Sequence, residues 1–476
     1  MSSTFITRRV QHAVLFLTLF SAATSGARAG EERPASLPEP PPPAQSPVAE
    51  SPRQDGPEVK SGGEGKSSSD GKTVSAGPIL AGWDGGFFLR SKDDQFSLRL
   101  TGQLQADYRG YENANDHADV DTFLMRRARF GLEANLFKYY EFRFLPDFGQ
   151  GQSRIQDAYI NIHYWDAFQL EAGKFKQPFS YEQLIQDRYV PTNERSIIDQ
   201  LVPARDVGVM LHGLHLFGDR LDYGVSISNG VINGDGDTNQ SKDVVGRVVV
   251  RPFAGWDVGA LLRFFQPGIS VTYGIEQEPA MPQTLRTPSQ VQWLTFNPAV
   301  RSDGPRYRLS PEVSYFFRSF GFMAQYYHEL HRYSPTGQGS ALDRDVAFDG
   351  FHVTASLLLT GEERTTYSEP IAPLWPFDPC HPLAYPGAWE LLARVSRLKL
   401  DNAAFQPGPG QLVNPARNSS GATEMTLGFN WYLNKNVRWQ FNYEHDWFDD
   451  EVQIATTPPS RYQHQDAVLV RLHVIF

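Results

Sequence analysis

"QFSLRLTGQLQADYR", residues 95 to 109, places an apolar or small residue at every second position. Phe96, Leu98, Leu100, Gly102, Leu104, Ala106 and Tyr108 share one face of an extended strand, and Ser97, Arg99, Thr101, Gln103, Gln105, Asp107 and Arg109 share the other. A strand of a soluble sandwich usually spans about five or six residues and turns its polar side to bulk water. A strand tilted across a bilayer needs about nine to eleven residues in the hydrocarbon, with lipid on one side and a water-filled lumen on the other. The rest of the chain decides between them.

Arg8 and Arg9 precede the apolar run 13–23, and Ala27-Arg28-Ala29 offers a small-x-small cleavage site, so residues 1–29 read as a secretory signal peptide. The apolar run is too short for a spanning helix, which needs about 20 residues. Residues 30–78 contain "PASLPEPPPPAQSP" and "SGGEGKSSSDGKT" and have little apolar surface to repay ordering, so a flexible, periplasmic tether is expected there. Residues 79–476 form the remaining unit, with no stretch of 18 apolar residues. Cys380 is the single cysteine and makes no intrachain disulfide. The formal charge is -10, and loss of the three arginines in the signal makes it more negative, which argues against a nucleic-acid partner.

Period-two or aromatic and branched runs bounded by turn residues predict strands near 95–109, 121–136, 139–148, 154–165, 167–176, 206–217, 220–229 and 243–252. The second half predicts 255–265, 306–318, 321–332, 347–360, 387–399, 422–433, 436–447 and 465–476. This gives an all-β fold, an antiparallel transmembrane barrel of about sixteen strands, the even number that brings both ends to one side. Short and long links alternate, as periplasmic turns and extracellular loops do, except that 361–386 is long where a turn is expected. In the last strand Val468, Val470, Leu472, Val474 and Phe476 share a face, fitting closure against the first strand with no edge left open in lipid. A mean hydropathy of -0.41 agrees with strands and loops that are half in water, and 32 Phe and 20 Tyr can supply the lipid-facing and interfacial rings.

The sequence resembles the phosphate-selective porin O and P family. The likeness is carried by "FLMRRARFGLEANLF" (123–137), "GKFKQPFSYEQL" (173–184), "NERSIIDQLVPARDVGVMLHG" (193–213), "GFHVTASLLLTGEERTTYSE" (350–369), "GAWELLARVSRL" (387–398) and "TLGFNWYLNKNVRWQFNYEH" (426–445). The resemblance implies a sixteen-stranded outer-membrane barrel, usually a homotrimer, that passes small anions such as phosphate or polyphosphate. Its phosphate-selective members use a ladder of lumen arginines and a lysine-rich third loop. The matching loop here, 177–205, carries Arg188 and Arg195 against Glu182, Asp187, Glu194 and Asp199; Lys174 and Lys176 only border its start.

Strand alternation assigns Arg127 and Arg129 to the lumen, and likewise Arg143, Arg99, Arg109 and Arg471. Guanidinium groups stay charged and bind oxyanions bidentately, so these six are the pore-lining candidates. Arg188, Glu194 and Arg195 are the constriction-loop candidates. Arg127 or Arg129 could instead pair with Glu133 or Asp157 and stabilise the wall. No metal, cofactor or catalytic residue is expected: no motif selects His163, His212 or His473 for a lipase-type triad, and "NGDGDTNQ" at 233–240 lacks the closing glutamate of a calcium loop. The expected function is a diffusion channel for small ions or polar solutes in outer-membrane lipid, with a modest anion preference. A general or cation-preferring pore and a barrel with an envelope-structural role are the alternatives.

Overall fold

A computed structural model describes residues 79–112, 120–231, 236–237, 239–256, 261–277, 282–335, 341–454 and 460–476. The expected export signal and tether lie outside the described residues.

A short hairpin, β1 (Ile79–Trp83) and β2 (Phe87–Ser91), precedes the barrel. The barrel begins with β3 (Phe96–Tyr111), β4 (Thr122–Leu136), β5 (Tyr140–Asp147), β6 (Arg154–Trp165), β7 (Phe168–Lys176), β8 (Arg205–His215), β9 (Leu221–Ser228), β10 (Asp243–Val250) and β11 (Phe264–Glu276). A small separate hairpin, β12 (Thr284–Arg286) and β13 (Gln292–Thr295), occupies the next loop. The wall resumes with β14 (Arg301–Phe317), β15 (Phe320–Ser334), β16 (Arg344–Leu358), β17 (Ala388–Leu400), β18 (Gly421–Tyr432), β19 (Val437–Ile454) and β20 (Ser460–Ile475). Each wall strand is antiparallel to the next, and β20 returns to β3, with Ile475 opposite Gln103 and Ala467 opposite Tyr111. The result is a closed sixteen-stranded barrel. Among the described residues no helix is long and apolar enough to cross a membrane.

Closure follows from the alternation. Along β3, Thr101, Gln103, Gln105, Asp107 and Arg109 are buried inward, while Phe96 and Leu104 are exposed outward. The outward residues of the wall strands are mostly apolar, as lipid requires, while polar ones such as His328, Arg332, Asp345 and Asp349 lie toward the loop end. Aromatic residues such as Phe137, Tyr164, Trp165 and Phe217 crowd the end that carries the short turns, the turn side of the barrel. The link between β16 and β17 lies on the turn side, so strand parity holds through all sixteen and the long segment is an elaborated turn.

One strand differs from expectation. The sequence predicts the ninth wall strand at 255–265, and it is found at Phe264–Glu276. The apolar run at 261–265 suggests the earlier position, and Pro267 interrupts the pattern just beyond it. The true alternation starts after the proline, with Ile269, Val271, Tyr273 and Ile275 exposed outward and Ser270 and Thr272 buried inward. The hairpins β1–β2 and β12–β13 are also absent from the sequence expectation; each is too short to carry a clear period.

The barrel interior is filled from the loop side. Ile197, Ile198 and Leu201 of the third loop join Leu285, Trp293 and Leu294 of the β12–β13 region and the wall residues Tyr327, Phe348 and Leu398 in one buried apolar cluster. Each such fully buried side chain contributes about 1.5–3 kcal/mol. The loop lies close to the wall because the wall is made of small hydroxyls there. Ser180 donates its backbone N–H to Ser270 Oγ (3.4 Å) and its hydroxyl to Gln325 (2.6 Å), and Ser226 donates to Gln177 (2.5 Å).

Candidate functional site

The third loop, between β7 and β8, runs inward and across the lumen. Two of its carboxylates reach the part of the wall formed by β3, β4 and β20 and gather the arginines there. Glu194 accepts from Arg126 through both oxygens (2.6 and 3.0 Å), from Arg109 (3.2 Å), from Arg127 (3.5 Å) and from Arg471 (3.0 Å). Asp187 pairs with Arg129, with Arg195 of the same loop (2.6 Å), and at longer range with Arg127 (3.7 Å) and Arg205 (3.9 Å). Arg471 is itself held by both oxygens of Asp107, each at 2.7 Å. Burial alone would raise the Glu194 carboxyl, but Arg126, Arg127, Arg471 and Arg109 hold it well below the usual carboxylate range. Asp187 is likewise held low, against burial, by Arg195, Arg129 and Arg127.

The structure therefore brings five of the named residues, Arg109, Arg127, Arg129, Arg471 and Glu194, into one cluster, and Arg195 joins it through Asp187. Of the expected wall partners of Arg127 and Arg129, Glu133 pairs instead with Arg143 (2.8 Å), and Asp157 with Arg205 (2.6 Å) and Arg143 (3.1 Å). Arg188 sits beside Tyr189 and reaches Glu133 only at 3.9 Å. Arg99 is exposed at the turn-side rim and forms no ion pair among the described residues.

Sequence reasoning misses Arg126, because strict alternation sends it to lipid beside Ala128 and Phe130. A β-bulge between Gln105 and Ala106 changes the register: Gln105 faces Arg127, but Ala106 faces Met125. Arg126 is the extra residue and turns inward next to Arg127, while Met125 and Phe123 point out. The only hint in the sequence is that an unbulged strand would put a guanidinium in hydrocarbon.

The turn-side segment between β16 and β17 closes on the same loop from the other direction. Tyr367 donates its backbone N–H to the Tyr181 hydroxyl (3.0 Å), which also contacts Thr366 (3.0 Å), and its ring packs edge-on against Phe316. Arg364 lies over the Tyr367 ring and bonds Glu390 (2.8 Å), which also accepts from Tyr432 (2.6 Å) and Asn430 (2.9 Å).

Between the loop and the β3–β8 wall lies a cavity of about 260 Å³. Arg129, Arg143, Lys176, Arg188 and Arg205 line it against Asp157, Glu171 and Asp187, an excess of positive charge. Burial, with Arg143 and Arg99 nearby, holds the Arg188 guanidinium below its ordinary value.

Asp199, at the base of the loop, behaves in the opposite sense to Asp187. Burial pushes its carboxyl up to about 7 against the pull of Arg195, with Glu182 adding to the rise. An acid raised on folding binds its proton in the folded loop between about pH 4 and 7, so the packed loop gains stability as pH falls through that window. Asp187 and Glu194, held low, keep their contribution until pH falls below about 4. Single-channel current is expected to be steadier at pH 5 than at pH 8, and Asp199→Asn to be steady at both. A variant that keeps the pH dependence removes Asp199 from the effect.

Comparison with known proteins places these features in a family. Porin O of Pseudomonas aeruginosa is 22% identical over 390 residues, covering 74% of this chain and 84% of its own. Among solved structures, an anion-selective porin from Comamonas acidovorans matches at 12% identity with a TM-score of 0.46, covering 80% of this chain and 100% of that one. A loop L8 deletion mutant of OmpT, an outer membrane protein of Vibrio cholerae, matches at 9% identity with a TM-score of 0.48, over 80% and 100% of the two chains. The model of the phosphate-selective porin O and P family matches residues 98–254 and 315–476, and the chain belongs to that family of outer-membrane channels.

Proposed function

We propose that this porin is a diffusion channel for small solutes with a modest preference for anions, phosphate and polyphosphate among them, and that it works as a homotrimer in outer-membrane lipid. Residues 1–29 then serve export and residues 30–78 stand as a periplasmic tether. The observation that carries the anion preference is the lining of the cavity beneath the third loop, where five cationic side chains meet three carboxylates. Charges at a narrow passage govern permeation, whereas those on outer loops are screened within about 10 Å at 0.1 M salt. The net negative charge of the chain therefore does not oppose the reading.

Arg127, Arg129, Arg109 and Arg471 act in this reading by setting the potential and fixing the loop, because each is already bonded to a carboxylate. Arg143, paired with Glu133 and Asp157, acts in the same way. Arg188, which reaches a carboxylate only at 3.9 Å, meets the ion more directly, and Arg99 lies at the rim. The test is the reversal potential across a bilayer under a KCl gradient, repeated with phosphate. An anion-selective wild type is expected, with Arg188→Ala lowering the anion-to-cation permeability ratio by about twofold. A cation-selective wild type overturns the proposal, and an unchanged ratio in the variant removes Arg188 from the path. Mass measurement in mild detergent checks the trimer.

A further inference from the structure

The hairpin β1–β2 stands outside the closed ring, and nothing in the pore accounts for it. β20 pairs with β3 from Gln103 to Tyr111. Toward the turn side β3 continues to Phe96, and β2 pairs with this overhang through Phe88 to Arg99, Leu89 to Leu98 and Arg90 to Ser97. The hairpin thus covers a strand edge that would otherwise lie open at the membrane, where unpaired backbone groups find no water.

We infer that the outward face of this hairpin is a lipid-binding surface seated in the turn-side membrane interface, among phospholipid headgroups and the first carbons of their chains. Leu89 lies opposite Leu98, whose face is the lipid-facing side of β3, so the apolar surface of the barrel runs unbroken onto the hairpin. On that face Ala81 pairs with Leu89 and Trp83 with Phe87, and Ile79, Trp83 and Phe87 are 62%, 58% and 42% exposed. The second observation fixes the depth. Among the described residues β1 pairs with β2 alone, and its outer backbone edge then calls for water or headgroups, so the strand does not belong in hydrocarbon. An apolar face with an open backbone edge, tipped by tryptophan, fits the interface and neither phase beside it.

The experiment uses the full chain with Cys380→Ser, carrying Ala81→Cys, Trp83→Cys or, on the opposite face, Leu80→Cys, each labelled with a fluorophore in lipid bilayers. Folding of each variant is checked first by its heat-modifiable mobility in detergent gels, and the small Ala81 change provides the probe if Trp83→Cys folds poorly. Lipids bearing a nitroxide near the headgroup are expected to quench Ala81→Cys and Trp83→Cys at least about twofold more than lipids labelled at the chain end, and to quench Leu80→Cys less. Quenching by aqueous iodide alone places the face in water and overturns the inference. Quenching by neither places it against protein, such as a second copy of the chain, and overturns it too.

Discussion

Glu194→Gln is expected to turn a modestly anion-selective channel into a strongly anion-selective one with a larger unit conductance. Four guanidinium groups converge on this carboxylate, and among the described residues the only other acid bonded to any of them is Asp107, on Arg471, apart from the weaker reach of Arg127 to Asp187. Two charges about 4 Å apart interact by about 4 kcal/mol at an effective dielectric of about 20. Removing one negative charge therefore changes the local potential by far more than any outer-loop substitution. The anion-to-cation permeability ratio should rise about threefold or more, measured as a shift in reversal potential under a KCl gradient. Conductance should rise because the loop loses its main attachment to the β3–β4–β20 wall. A ratio unchanged from wild type would mean that the carboxylate lies off the conducting path.

Arg364→Ala is expected to cost the largest stability of any single change at the turn-side end. Glu390 is fully buried, and Arg364 is the cation bonded to it. Breaking one partner out of such a pair costs about 3–5 kcal/mol, because the remaining charge stays buried without compensation. The fall in melting temperature, followed by circular dichroism in detergent, should be partly restored in the double variant Arg364→Ala/Glu390→Gln, which removes the stranded charge. A double variant no more stable than the single one would show that Arg364 acts through its packing on Tyr367 and not through Glu390. Conductance should rise in both variants, since the segment that presses on Tyr181 from the turn side is loosened.

The barrel was legible because its alternation is enforced by two solvents. Lipid selects Leu104 and Phe130 and a wet interior selects Gln105 and Arg129, and this rule repeats on every wall strand. The rule weakens where the interior is dry. Phe348 and Leu398 face inward and are apolar, because they pack on the third loop and the β12–β13 region. At these positions the inward face turns apolar within otherwise alternating strands, and nothing in the strand itself names the loop it supports. The inward direction of Arg127, Arg129 and Arg471 followed from spacing, but their partners did not. Glu194 is 67 residues from Arg127 and 277 from Arg471, and no local pattern links residues so far apart. Arg126 escaped because a bulge is a property of two strands together, and one strand read alone does not contain it.

Arg471 also fixes when the constriction can exist. Its partner Asp107 is 364 residues away, across the seam where β20 meets β3. Bringing together ends so distant costs on the order of 5 kcal/mol of loop entropy if it is done before the intervening strands have formed. Zipping neighbouring strands in turn avoids most of that cost, which makes the seam the last junction to form. Until then Glu194 lacks Arg471 and, with it, one wall of its cradle. Selectivity is therefore a property acquired at the final step of assembly, and a barrel stalled with its seam open is an unselective hole.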